Sequence, residues 1–161
     1  MSSLAAALLV LCVACTQQSA APATSQTTTP ASTSPHVIFP DGFAVSVEVA
    51  ADDPTREQGL MYRDQLGLDH GMIFLFAQSG EYPFWMKNTL IPLDMIWIDG
   101  ARKIARIAAN VPPCKADPCP SYPPHANAKY VLEVAAGVAA KHRLKEGDAL
   151  RFERLDSIVP R

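Results

Sequence analysis

The stretch "PFWMKNTLIPLDMIWI", Pro83–Ile98, holds both tryptophans of the chain and is otherwise almost wholly apolar. Lys87 and Asn88 nevertheless sit in its middle, and Asp94 follows. How this stretch divides decides the fold. Pro92 has no N–H to donate and is unsuited to a central strand. Asn88-Thr89 favours a turn. The stretch therefore splits into a strand over 84–87, a connection over 88–92 and a strand over 93–98. Paired as a hairpin, the two strands would bring Lys87 and Asp94 together near the bend, with Asn88 on the turn and Trp85 beside them. Just beyond, Asp99-Gly100 is a two-residue hairpin signal that returns the chain into "RKIARIA" (102–108).

Working outward, "FAVSVEVA" (43–50) sets Phe43, Val45, Val47 and Val49 against Ser46 and Glu48, the period of two of a half-buried strand. "DDPTREQGLM" (52–61) reads as a short helix with Asp53 as N-cap, Pro54 at the first helical position and Gly59 at its end. "GMIFLFA" (71–77) is a continuous apolar run, a strand buried on both faces. After a Pro-rich loop, "NVPPCKADPCPSYPPH" (110–125), come a strand in "KYVLEVA" (129–135), a short helix in "GVAAKHRL" (137–144), a turn in "KEGD" and a last strand in "ALRFERL" (149–155). The tally is about six or seven strands and two short helices, with hairpins dominant and no alternation of strand and helix that would predict a parallel sheet. The expected class is mainly β: an antiparallel β-sandwich or small open barrel.

The 161 residues suit one domain of ordinary size. Every Lys, Arg, Asp and Glu falls after residue 36, so the net charge of −2 belongs to the C-terminal part. A near-neutral domain without a basic run is a poor nucleic-acid binder. Ahead of it, residues 1–15, "MSSLAAALLVLCVAC", carry an apolar run too short to span a bilayer, followed by small residues and Cys15. This resembles a lipoprotein signal whose cleavage leaves Cys15 to be acylated. Two departures keep a soluble secreted form and a retained anchor open: no Lys or Arg precedes the run, which would fit a start further upstream, and Cys12 stands where Leu is usual. Thr16, rather than Asp, after the Cys implies the outer membrane of a Gram-negative envelope. Residues 16–36 are Ser, Thr, Pro, Ala and Gln with scarcely another residue type, a disordered tether. The folded domain is expected over 37–161, at the periplasmic face of the membrane.

Five motifs then occur in order: "GLMYR" (59–63), "GMIFLF" (71–76), "FWMKNTLIPLDMIWID" (84–99), "VPPCKADPCPSY" (111–122) and "YVLEVAAG" (130–137), closed by "KEGDAL" (145–150). Together they resemble domain-of-unknown-function family 192, small bacterial and archaeal proteins that are often exported. The resemblance spans about residues 44–153 and implies a compact, mostly β domain. It implies no established activity, so the residues must be argued on their own.

A cation, an amide and a carboxylate in one apolar run suggest a small polar pocket in an apolar wall. Ligand-binding candidates are Lys87, Asn88, Asp94, Trp85 and Arg63. The plainer alternative is a rim ion pair between Lys87 and Asp94, with Asn88 serving only turn backbone groups. A buried, unpaired Lys87 would be costly, so it should be paired, at a mouth, or suited to acid–base or Schiff-base chemistry. Arg63 more simply pairs with Asp64 or Asp69. Glu133, in "YVLEV", shares a face with Val131 opposite Tyr130, Leu132 and Val134, and is expected to face solvent or to meet Lys87.

Removal of Cys12 and acylation of Cys15 leave Cys114 and Cys119, an even pair in an oxidising compartment. A short disulfide pinning the Pro-rich loop is the favoured reading. A redox pair is the rival, although the spacing is not C-x-x-C, and zinc lacks a fourth ligand even with His125. Met61, Met72, Met86 and Met95, with His70, could bind copper, but their apolar flanks make core packing simpler. No phosphate loop, G-x-S-x-G or H-E-x-x-H is present, so no metal and no cofactor are expected. The expectation is a tethered, extracytoplasmic domain that binds a small polar ligand. The rivals are an enzyme on a cell-envelope substrate with Lys87 and Asp94 as acid–base groups, and an accessory protein that meets an envelope partner through the Pro-rich loop.

Overall fold

The computed structural model describes residues 33–161. The expected signal (1–15) and most of the tether (16–36) lie outside the described residues. In chain order the elements are β1 His36–Ile38, β2 Ala44–Ala50, α1 Asp53–Gln58, β3 His70–Gly80, β4 Phe84–Trp85, β5 Leu93–Ile98, β6 Ile104–Val111, β7 Ser121–Tyr122, β8 Ala128–Ala135, α2 Val138–Lys141 and β9 Arg151–Glu153. Seven strands form one curled sheet, a half-barrel, in the order β6-β5-β8-β3-β2-β1-β9, and β4 pairs with β7 in a small second sheet. The mainly β class and the open-barrel alternative are borne out.

Two features depart from the sequence reading. First, β2 and β3 are parallel, with Val47 opposite Gly71 and Val49 opposite Ile73. A parallel pair needs a crossover, and α1 with its following loop supplies one. Because the helix is only six residues long, it leaves little strand–helix alternation in the sequence. Its N-cap is Asp52 rather than Asp53: the Asp52 carboxylate accepts from the Thr55 N–H at 2.9 Å in a capping box. Second, the segment from Phe84 does not fold back on β5. Phe84 pairs with Tyr122 and Trp85 with Ser121, while β5 lies between β6 and β8. The predicted hairpin of 84–87 with 93–98 is therefore absent. The Asp99-Gly100 hairpin does form, but over a longer loop, with Asp99 Oδ1 accepting from the N–H groups of Ala101 and Lys103.

The sheet is curled because its two edges approach at one end. Backbone bonds run from Leu150 N to the Arg102 carbonyl and from Ile104 N to the Asp148 carbonyl. The central strands are buried on both faces, as the run "GMIFLFA" predicts. Alternation sends Ile73 and Leu75 of β3, Ile96 and Ile98 of β5, and Leu132 and Val134 of β8 into one core. It sends Met72 and Phe74, Met95 and Trp97, and Val131 into a second. Leu60, Met86 and Phe84, from the segments after α1 and around β4, cover that second face. Burial of this much aliphatic and aromatic surface on both faces is the main stabilising term. Trp97 is wholly buried and donates its Nε1–H to the Tyr82 carbonyl at 2.8 Å.

Candidate functional site

The layer over the second face consists of α1, the loop 59–62 and the segment 84–89. Asn88 latches the last two together. It adopts a left-handed backbone, φ 56°, which Asn tolerates better than most residues. Its carbonyl accepts from the Tyr62 N–H at 2.8 Å, and its Nδ2 donates to the Tyr62 hydroxyl at 2.8 Å. The wall carrying Trp85 is held from the other side by β7 and by the Cys114 N–H, which donates to the Met86 carbonyl at 3.4 Å. Cys114 and Cys119 form a disulfide immediately before β7.

Between these walls runs an open groove of about 590 Å³ lined by Pro54, Gln58, Met61, Tyr62, Trp85 and Lys87, among others. Trp85 and Tyr62 are unusually exposed for aromatic residues, at 48% and 68%. The Lys87 ammonium stands over the Trp85 ring, 5.3 Å from its centroid. No carboxylate among the described residues pairs with it. The groove narrows into a slot of about 30 Å³, which it adjoins through Gln58, Met61, Trp85 and Lys87 and which is also lined by Phe74, Thr89 and Glu133. That volume suits a water or two, or a single small polar group.

Of the two expectations for Glu133, solvent or Lys87, the first fails: Glu133 is 4% exposed, and it lines the slot together with Lys87. Alternation does set it on one face with Val131, but that face is covered by the second layer. Its cross-strand neighbours are Met72 on β3 and Met95 on β5, so apolar thioethers flank it on both sides. Gly71 lets β3 close on β8 here, because a Cβ would stand 2.5 Å from the Glu133 carbonyl oxygen. The carboxyl has no hydrogen-bond partner among the described residues. Burial alone pushes its pKa up to about 8, so at neutral pH it is a neutral acid with an O–H to donate. The signal that could have found it is the one that drew notice to Lys87: a lone ionisable residue inside an apolar strand, "YVLEVA".

Asp94 does not join the site. On β5 it falls on the face of Ile96 and Ile98, opposite Met95 and Trp97, and it is fully buried. Its two oxygens accept from the Asn110 N–H at 2.7 Å and the Ala139 N–H at 2.8 Å. The second bond caps α2, whose own N-cap, Gly137, has no side chain to offer. Arg63 is also engaged elsewhere, though not by Asp64 or Asp69: it makes a two-pronged pair with Glu48 of β2, both bonds 2.6 Å. The structure therefore brings together Lys87, Asn88 and Trp85 with Glu133, and separates Asp94 and Arg63 from them.

The half-barrel and its slot define a small β domain of a recognised type. The chain matches the model of domain-of-unknown-function family 192, described as an uncharacterized ACR, over residues 36–152, and it belongs to that family. Two solved structures are similar to it. One is a candidate transcription regulator from Sinorhizobium meliloti 1021, 38% identical, covering 73% of this chain and 91% of that one, with a TM-score of 0.64. The other is a protein of unknown function from Novosphingobium aromaticivorans DSM 12444, 34% identical, covering 83% of this chain and 94% of that one, with a TM-score of 0.65. No functionally curated protein matches the chain.

Proposed function

We propose that this protein is a lipid-anchored domain on the periplasmic face of a bacterial membrane, the outer membrane, and that it binds a small polar ligand in the groove along Trp85, Lys87 and Asn88. The observation that carries the reading is the convergence of two polar groups without a hydrogen-bond or ion-pair partner among the described residues, the half-buried Lys87 ammonium and the buried Glu133 carboxyl, on one slot in an apolar wall. An unpaired buried carboxyl costs stability, and a ligand that meets it offsets that cost. The anchor and tether rest on Cys15 and on the composition of residues 16–36.

The enzyme reading with Lys87 and Asp94 as an acid–base pair loses its second member, because both Asp94 oxygens are spent on backbone N–H groups. The regulator description of the S. meliloti relative gains no support here from charge: 14 Lys and Arg stand against 16 Asp and Glu.

The test is an amide NMR screen of the full chain with amino acids, neutral sugars and small organic acids. At least one class should perturb residues 58–62 and 85–89, and Lys87→Met should abolish the response while leaving the unfolding midpoint within a few degrees. Silence at those residues across all three classes, or binding untouched by Lys87→Met, would sink the reading.

A further inference from the structure

The slot at the end of the groove restricts which ligand chemistry the groove can hold. Lys87 and Glu133 both line the slot; among the described residues Glu133 has no hydrogen-bond partner, and Lys87 has no ion-pair partner beyond its stacking on the Trp85 ring. The remaining titratable side chains around it come from α1. Arg56 is tied to Asp53 and to the Leu75 carbonyl, and Glu57 is exposed at the mouth. The strands packed beside Glu133 present Met72 and Met95, which do not titrate. The slot thus offers one ammonium without a paired carboxylate and one acid hydrogen, next to the buried Thr89 hydroxyl.

Resting on that binding reading, we infer that the ligand is a small organic acid whose carboxylate seats between the Lys87 ammonium and the Glu133 carboxyl, with its body in the groove along Trp85. A carboxylate satisfies both groups at once: one oxygen accepts from Lys87, the other accepts the Glu133 O–H, and both bonds are charge-assisted. A neutral sugar hydroxyl or an amide leaves the Lys87 charge without a counterion. An amine meets like charge. The slot volume of about 30 Å³ fits a single carboxylate and no ring, so the ring or chain of the ligand must lie in the groove of about 590 Å³.

The seat works only while Glu133 keeps its proton. Once ionised, it sets a second carboxylate against the ligand's own. Since burial places that ionisation at about 8, affinity should fall about tenfold between about pH 7 and pH 9.

The test titrates the full chain, followed by amide NMR, with lactate, benzoate and N-acetylalanine, each beside its own amide. N-acetylalanine stands in for a peptide terminus and the other two for free metabolites. At least one acid should perturb residues around Lys87 and Glu133 and bind at least tenfold more tightly than its amide. Lys87→Met should weaken that binding about tenfold or more. Glu133→Gln, which keeps a donor, should hold the affinity near pH 7 and abolish its loss toward pH 9. An acid and its amide binding equally, or a pH response unchanged in Glu133→Gln, overturns the carboxylate seat and leaves the groove standing. If all six probes are silent while a neutral sugar, or an amino acid that binds no more tightly than its amide, perturbs the groove, only this inference falls. If the whole screen is silent, the binding reading falls with it.

Discussion

Asp94 and Glu133 are both buried carboxyl residues on adjacent strands of one sheet, yet they solve the burial problem in opposite ways. Asp94 pairs across to Val134, and Glu133 to Met95, so the two carboxyls leave neighbouring strands toward opposite faces. Asp94 has two backbone N–H donors at 2.7 Å and 2.8 Å. Glu133 has none and lies between two methionines at the end of a slot. A satisfied buried carboxylate is a structural part: it holds α2 and the end of β6 to β5. An unsatisfied one destabilises the fold and is left open to meet whatever enters the slot.

The largest effect expected from breaking this contrast is at Asp94. Asp94→Ala leaves the buried Ala139 N–H and the part-buried Asn110 N–H without acceptors and should cost about 2 kcal/mol or more. Asp94→Asn should recover little, because its NH₂ faces one of the donors. Urea unfolding of the full chain measures both. A loss under about 1 kcal/mol in Asp94→Ala would mean that these bonds are not what holds α2.

Glu133→Gln should move stability the other way. The folded-state pKa, about 8, lies above the ordinary value of 4.5. Between those pH values the native protein holds a proton that the unfolded chain has released, so native stability falls as pH rises through that window and levels off above it. Gln cannot ionise and escapes this loss. The substitution should therefore be near neutral around pH 5 and stabilising by about 2 kcal/mol or more around pH 9. Parallel pH dependence of the unfolding midpoint in both proteins would mean that Glu133 does not carry the buried proton.

Much of this contrast follows from which pairings a sequence can announce. The local ones were legible. The continuous apolar runs gave β3 and β5, alternation put Glu133 and Val131 on one face, Asp99-Gly100 marked the β5–β6 hairpin, and the even pair left by Cys114 and Cys119 marked the disulfide. The non-local ones were not. Nothing in Phe84-Trp85 says that its partner is Ser121-Tyr122 rather than the strand just after it, and the missing hairpin is what falsely joined Lys87 to Asp94. Likewise a strand alone does not say whether its second face will be covered. Glu133 looked solvent-facing because the cover comes from Leu60, Met86 and Phe84, distant in sequence from β8.

That non-local pairing also yields the smallest of the three predicted effects, and it separates the two regions most sharply. The disulfide closes a loop of only five residues' separation just before β7, so removing it through Cys114→Ser with Cys119→Ser should cost at most about 2 kcal/mol. Its consequences should be local. β7 holds β4, and β4 carries Trp85, so the groove wall should loosen while the Asp94 side of the sheet stays intact. Trp97 is fully buried and bonded to the Tyr82 carbonyl, so a change in emission in the double variant should come from Trp85, and a Trp85→Phe background should remove it. Amide exchange should quicken across residues 84–89 and 119–123 and hold steady at Asn110 and Ala139, the two donors to Asp94. Equal loosening at both places would show that the disulfide braces the whole half-barrel rather than the wall of the groove.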